Sequence, residues 1–218
     1  DRFVVLTKAD KNDWRKVTPE VEQIYNPLPF VSDEVSHLDE KSCIAAGRLE
    51  SQKNFKDLIT AWKTVDARHP DWKLSVYGDG SQKESLQDQI DSMGLKGKVT
   101  LKGRTNDVRK ELLGSSCLVM SSRFEGFPMI LLEALATGLP IVSYDCPKGP
   151  SEIVTIGANG YLAKVGDTGT LAQGICSVIA NEELRKRFGA ESKRRSENFS
   201  LEKTMEKWDA LFKSALKR

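Results

Sequence analysis

Two carboxylates, two cations and one helix start are the residues here whose types and spacing could do chemistry. Glu125 and Glu133 are separated by seven residues in S-S-R-F-E-G-F-P-M-I-L-L-E-A-L-A-T-G-L-P-I-V, residues 121–142. Between them Gly126 turns the chain, and Pro128 is expected at the first helical position, where its missing N–H costs nothing. From Met129 to Ala136 the helix is apolar on every face except at Glu133. Such a helix is a buried one, and a carboxylate inside it needs a partner. The helix N-terminus offers unpaired N–H groups and a positive dipole end, a site for an anion. An acid on each side of that start suits a phosphate flanked by hydroxyl-bearing sugars. The plain alternative is a helix cap plus one salt-bridged Glu, and the stretch alone does not separate the two.

The cations stand earlier, in Gly47-Arg48-Leu49-Glu50-Ser51-Gln52-Lys53-Asn54. Arg48 and Lys53 leave an apolar run, and Asn54 can cap the next helix with Asp57 in its first turn. The two cations and that helix start could converge on a diphosphate, neutralising it as a metal does elsewhere. Ordinary surface charge is the alternative. Tyr77-Gly78-Asp79-Gly80 permits close backbone approach, and Lys102-Gly103-Arg104-Thr105 could present backbone groups to a base edge. Each is weak alone. No G-x-G-x-x-G follows the first strand and no Walker lysine loop is present, which argues against a nicotinamide or flavin dinucleotide.

The elements that must hold these residues alternate. Apolar runs at 42–46, 73–77, 99–101, 117–120, 141–143 and around 161–162 read as strands. Helical spacing links them: Phe55, Leu58, Ile59, Trp62 and Val65 share one face, Leu86, Ile90 and Met93 another. Shorter helices are expected over 107–113 and 128–137, and a longer one over 170–180. This rhythm predicts an α/β fold, a doubly wound parallel sheet of about six strands covered on both faces. Ahead of it, 3–7 reads as a strand, 12–17 as a helical turn and 31–40 as an acidic, Ser-rich linker. Behind it, Leu184 to Ser196 carries the basic cluster Arg185, Lys186, Arg187, Lys193, Arg194 and Arg195. That cluster reads first as a solvated helix face and second as peripheral contact with an anionic membrane. Ser200 should cap a last helix whose Leu201, Met205, Trp208, Leu211, Phe212 and Ala215 form an apolar stripe in need of cover.

Composition narrows the class without naming a partner. The 218 residues are 39% hydrophobic and 29% charged with a net charge of +2, so nothing in the total points to nucleic acid. Four scattered cysteines and two histidines without ligand spacing argue against a metal site and for reduced thiols in the cytoplasm. The chain opens inside a strand, as a piece of something longer would.

Gly47-Arg48-Leu49 with Lys53-Asn54, Gly78-Asp79-Gly80, and Glu125-Gly126-Phe127-Pro128 through Glu133 resemble the donor half of the retaining glycosyltransferases of family 4. That resemblance covers about 44–165 and implies one half of a glycosyltransferase-B fold. It implies that Arg48 and Lys53 hold the donor diphosphate and that Glu133 binds the ribose hydroxyls. Glu125, with backbone from Phe127, Pro128, Met129 and Ile130, would contact the transferred sugar and phosphate. Gly47 and Gly78 would allow close approach, and Arg104 and Thr105 would frame the base. Glu125, Arg48 and Lys53 would be the catalytic set, without metal or other cofactor. Asp145-Cys146-Pro147 and Gly149-Pro150-Ser151-Glu152-Ile153 resemble, more softly, a loop of bacterial cell-surface polysaccharide enzymes.

Residues 1–40 would then be the remnant of an acceptor-binding N-terminal domain and its linker. Residues 41–198 would be the nucleotide-sugar domain, and 199–218 a helix packing toward the missing half. The implied reaction moves a hexosyl unit from a nucleotide diphosphate sugar, uridine diphosphate by family frequency, to a saccharide or lipid-linked saccharide. The setting is the cytoplasm or the inner face of its membrane, and the piece alone should transfer little sugar. A nucleotide-sugar epimerase of the same fold and a non-catalytic nucleotide-sugar-binding module are the competing expectations.

Overall fold

Strands that are apolar on both faces must be covered on both faces, and this chain covers them with helices. The computed structural model describes residues 2–216; Asp1, Lys217 and Arg218, included in the expected terminal segments, lie outside the described residues. A front unit comprises β1 (Phe3–Val5), α1 (Lys8–Trp14) and β2 (Val21–Gln23), with β1 and β2 paired in parallel. The body runs β3 (Ser42–Ala46), α2 (Phe55–Arg68), β4 (Lys73–Tyr77), α3 (Lys83–Ser92), β5 (Val99–Gly103) and α4 (Val108–Leu113). It continues through β6 (Cys117–Met120), α5 (Met129–Ala136), β7 (Ile141–Tyr144), α6 (Pro150–Ile153) and β8 (Gly160–Ala163). Then come α7 (Thr168–Ala180), α8 (Glu182–Ser196) and α9 (Leu201–Leu216). The main sheet is parallel throughout, in the order β5-β4-β3-β6-β7-β8.

Side chains alternate across that sheet with period two. Cys43, Ala45, Cys117, Val119, Val142 and Tyr144 pack with α2 and α7 on one face. Ile44, Leu118, Met120 and Ile141 pack with α5 on the other. All four cysteines are buried and free.

Several local expectations shift. The front helix is Lys8–Trp14 rather than a turn over 12–17, because the Thr7 hydroxyl accepts from the Asp10 N–H and starts it earlier. Pro128 is the cap residue before α5, not its first residue, since its ψ of 101° is extended. Asn54 sits in the left-handed region at φ 51° and makes no cap bond; its side-chain amide donates to Asp57 instead. Residues 31–40 are strapped to the body, with Ser36 and Leu38 buried, the Ser36 hydroxyl donating to Ser115 O and Leu38 O accepting from Arg185.

Half of the basic cluster of α8, Arg185, Lys193 and Arg195, is spent inside the domain, while Lys186, Arg187 and Arg194 stay exposed. Arg185 is buried, donates to Val178 O and Ile179 O at the end of α7, and lies 5.3 Å over the Trp72 ring. Lys193 donates to Ala136 O, and Arg195 to Ile153 O, the last residues of α5 and α6. Cations at helix C-termini meet orphan carbonyls and the negative dipole end. Lys186 and Arg194 pair with Glu182 and Glu191. The stripe of α9 stays open, with Leu201, Met205, Phe212 and Leu216 exposed and Trp208 stacked on Phe212.

Replacing Arg185 by Met would leave buried carbonyls without donors, at a cost of about 3 kcal/mol. We expect thermal denaturation by circular dichroism to shift down by roughly 6–12 °C for a domain of this size. A shift within 2 °C would show that Arg185 is not needed to close the ends of α7.

Candidate functional site

The order of the main sheet reverses between β3 and β6, and a doubly wound sheet opens its crevice beyond the strand ends at that reversal. The loops that leave those strands, 47–54 and 121–128, carry the candidate residues. They are stitched edge to edge. The Ser121 hydroxyl donates to Lys53 O (2.9 Å), Arg123 N to Gln52 O (2.8 Å) and the Gln52 amide to Phe124 O (3.0 Å). Gly47 N donates to Tyr77 O and Gly78 N to Gly103 O, lacing the ends of β3, β4 and β5 together. Gly78 has φ 147°, and a Cβ there would lie 1.8 Å from Gly47 O, so no other residue fits.

Two adjoining hollows result, sharing Ala46 and Gly47. One, of about 430 Å³, is lined by Lys53, Glu125, Phe127, Pro128, Met129, Ile130 and Glu133. Its neighbour, of about 440 Å³, is lined by Arg48, Tyr77, Gly78, Asp79, Arg104 and Thr105. The structure therefore gathers all twelve sequence candidates around one crevice, but Arg48 and Lys53 flank Gly47 from different hollows. Arg48 donates to the Gln52 side chain at 3.3 Å, and Arg104 is exposed, 3.7 Å from Asp79.

Lys53 Nζ sits 2.6 Å from Glu125 Oε1, the two side chains only 18% and 8% exposed. Each charge compensates the other's desolvation. An ammonium has three donors, so the pair leaves Lys53 two for a ligand's oxygens. Nearby, burial and the Glu125 charge push the Cys146 thiol up to about 12. At the start of α5, Pro128 supplies no side-chain cap, and the helix's first two residues, Met129 and Ile130, line the same hollow. Glu133, also on that wall, is half-buried, and among the described residues its carboxylate has no hydrogen-bond or ion-pair partner, although its carbonyl accepts from Thr137. Burial raises its carboxyl above the ordinary value. The partner that a carboxylate in an apolar helix needs is thus not supplied by the described residues.

Three contributors escaped the sequence reading. Gln52 bridges Arg48 to the loop before Glu125; no spacing signals a bridging amide. Gly149, at φ 112°, presses on the donor turn, where an added Cβ would come 2.4 Å from Pro128 Cδ. Tyr25 stacks on Phe127 with ring centroids 5.2 Å apart. The only sequence signal for Gly149 was the soft Gly149-Pro150 match, and for Tyr25 there was none.

Because the folded-state value of Glu133 lies above the unfolded one, its charge costs stability at neutral pH, and the cost vanishes as pH falls through and below 4.5. Glu133→Gln should therefore raise the melting temperature at pH of about 7.5, with the gain closing in acid. Equal melting temperatures at both ends of that range would show that ionised Glu133 is already compensated.

Comparison with known proteins follows the same residues. The family model described as glycosyl transferases group 1 matches residues 31–195. An uncharacterized glycosyltransferase of Haemophilus influenzae is 31% identical over 97% of this chain and 61% of its own length. The poly(ribitol-phosphate) alpha-N-acetylglucosaminyltransferase of Staphylococcus aureus is 29% identical over 97% of this chain and 43% of its own. A crystal structure of an S. aureus TarM variant in complex with fondaparinux, alpha-GlcNAc-glycerol and UDP superposes with a TM-score of 0.89 at 27% identity. It covers 97% of this chain and 43% of that one. The chain thus spans about three fifths or less of the proteins it matches.

Proposed function

The chain belongs to the group 1 glycosyl transferases, and from that membership we propose that it is the donor-binding half of a retaining hexosyltransferase using a UDP-sugar. The observation that carries this is the crevice at the strand reversal. There a part-buried Lys53–Glu125 pair and a Glu133 carboxylate without a bonding partner among the described residues line a hollow at an uncapped helix start. Lys53 and the first amides of α5 would take the diphosphate, and Arg48 would approach it from the neighbouring hollow. Glu133 would accept from ribose hydroxyls, the pairing it lacks within the protein. The neighbouring hollow, walled by Tyr77 and closed by Arg104 and Thr105, would take the base. UDP in the S. aureus TarM complex supports the choice of nucleotide.

As the bond from sugar to β-phosphate lengthens, negative charge grows on the phosphate. Donors already in place stabilise that charge without reorganising, so Arg48, Lys53 and the helix amides would do the work otherwise given to a metal. Among the described residues no group of three or more acidic, His or Cys side chains could hold an ion. Glu125, tethered by Lys53, would hold sugar hydroxyls and support an oxocarbenium-like state, with the anomeric configuration kept.

The acceptor half would lie in the remainder of the protein, with the front unit and the open stripe of α9 facing it. A saccharide or lipid-linked saccharide of the cell surface is the acceptor this family membership favours. Among the described residues no helix is long and apolar enough to cross a membrane. Arg185, Lys193 and Arg195 of α8 are committed inside the domain, which leaves Lys186, Arg187 and Arg194 for peripheral contact with an anionic membrane.

Arg48→Ala should weaken UDP binding about 10–100-fold, the worth of a lost hydrogen bond to a charged group, with the fold intact because Arg48 is exposed. Lys53→Ala should lose at least as much and also about 3–5 kcal/mol of stability, since it strands Glu125; Lys53→Ala/Glu125→Gln should recover most of that stability. Isothermal calorimetry with UDP reads both, and unchanged affinity in both variants removes the phosphate assignment. Chelation by EDTA should leave UDP affinity within twofold; a larger loss would return the neutralising role to a metal.

A further inference from the structure

Outside the crevice, four separated stretches meet behind the donor turn. Glu152, in α6, accepts through Oε1 from Lys8 N (2.8 Å) and Ala9 N (3.5 Å), the first amides of α1. Its Oε2 accepts from the Tyr25 hydroxyl at 2.7 Å. Burial and that carboxylate raise the phenol's pKa, so it stays a donor. The Tyr25 ring lies 5.2 Å from Phe127 and 5.2 Å from Phe199, and the Asn26 amide reaches Met129 Sδ at 3.5 Å. On the same loop as Glu152, Lys148 pairs with Asp10 at 2.5 Å, and Gly149 presses on Pro128. Of these contacts, Tyr25–Phe127, Asn26–Met129 and Gly149–Pro128 reach the turn at 127–129, and the bonds of Glu152 and Lys148 tie α1 and Tyr25 to residues 148–152. Neither Tyr25 nor Glu152 lines the donor hollow.

We propose that Glu152 and Tyr25 are positioning residues, a clamp that holds the front unit in fixed register with the turn that grips the donor. The inference rests on the reading that the front unit belongs to the acceptor side of the enzyme. On that reading the clamp sets how far the acceptor hydroxyl stands from the anomeric carbon. A misplacement of about 1 Å can cost 10²-fold in rate without weakening binding. The carboxylate suits this role because it gathers two backbone N–H groups and a phenol at one point, and charge-assisted bonds hold geometry tightly. The Tyr25 ring then passes that position to Phe127 by stacking.

The test uses the full-length protein with Tyr25→Phe, which keeps the ring and removes only the hydroxyl, and Glu152→Gln, which keeps the shape. The expected result is a fall in kcat of about 10–100-fold, with the KM for donor and the Kd for UDP within twofold of the parent. The double variant should be no slower than the slower single, since the two side chains act as one unit. Unchanged kcat in both singles overturns the proposal, and so does UDP affinity falling in step with kcat. Hydrogen exchange separates this idea from the functional reading, because it needs no turnover. In Glu152→Gln, exchange at residues 7–10 and 125–130 should rise together; a rise at 7–10 alone overturns the clamp even if the parent proves to be no transferase.

Discussion

The crevice depends on the ion pair that Lys53 and Glu125 make where both side chains are largely withdrawn from water. A lone ammonium there would be costly, and Glu125 removes most of that cost from 2.6 Å away. The pairing has a consequence for geometry as well as for energy. It fixes Glu125 on a loop whose glycine neighbour, Gly126, meets no other atoms at its open side. The loop is held instead by Gln52 and Ser121, through backbone groups of the facing loop. The positive charge and the acid that would serve a ligand are thus poised by each other, and the loops are poised by amides that no ligand has to displace.

Around this pair the fold works as a set of helix ends and strand ends brought to two opposite rims. At the carboxyl rim, β3, β4 and β5 finish in glycines that let backbones touch, as the contact of Gly78 with Gly47 O shows. At helix C-termini the chain places cations: Arg185 on α7, Lys193 on α5, Arg195 on α6. The two helices that start at the crevice, α2 and α5, have no side-chain cap, as is true of α3 and α6, while α1, α4, α7 and α8 receive one. An exposed, uncapped amide end is stabilised by any anion that arrives. Glu133 carries the complementary deficit, a raised carboxyl without a bonding partner among the described residues.

The front unit and the tail close the site from behind. Tyr25, Phe127 and Phe199 bring residues far apart in sequence into one aromatic group. Leu28 N donates to Phe199 O beside it, so the segment after β2 and the turn before α9 are joined there too. In the front unit Val5 and Val21 are buried, as are Ile24 just after it and Leu211 of α9, while Leu201, Met205 and Phe212 of α9 stay exposed.

Much of this was readable from the amino acids. Short apolar runs, helical spacing between them and glycines at their ends determined a parallel sheet with helices on both faces, because each signal is local. Residue types and spacing also picked out Arg48, Lys53, Glu125 and Glu133, since a carboxylate in an apolar helix and cations leaving a strand are anomalies within a few residues. Caps and helix starts were less legible. Pro128 and Asn54 took backbone angles open to their residue types, but not those of a first helical residue and a side-chain cap. The basic cluster of α8 divided in a way no local signal shows: Lys186, Arg187 and Arg194 form the solvated face expected, while Arg185, Lys193 and Arg195 turn to the helix ends beside them. Only the tertiary structure decided that Arg48 and Lys53 serve separate hollows, that Lys53 is matched to Glu125, and that Tyr25 and Glu152 meet behind the turn. Those are contacts across 72 and 127 residues of chain. Pairing at such range is set by how the elements pack against one another, which no local pattern of residues encodes.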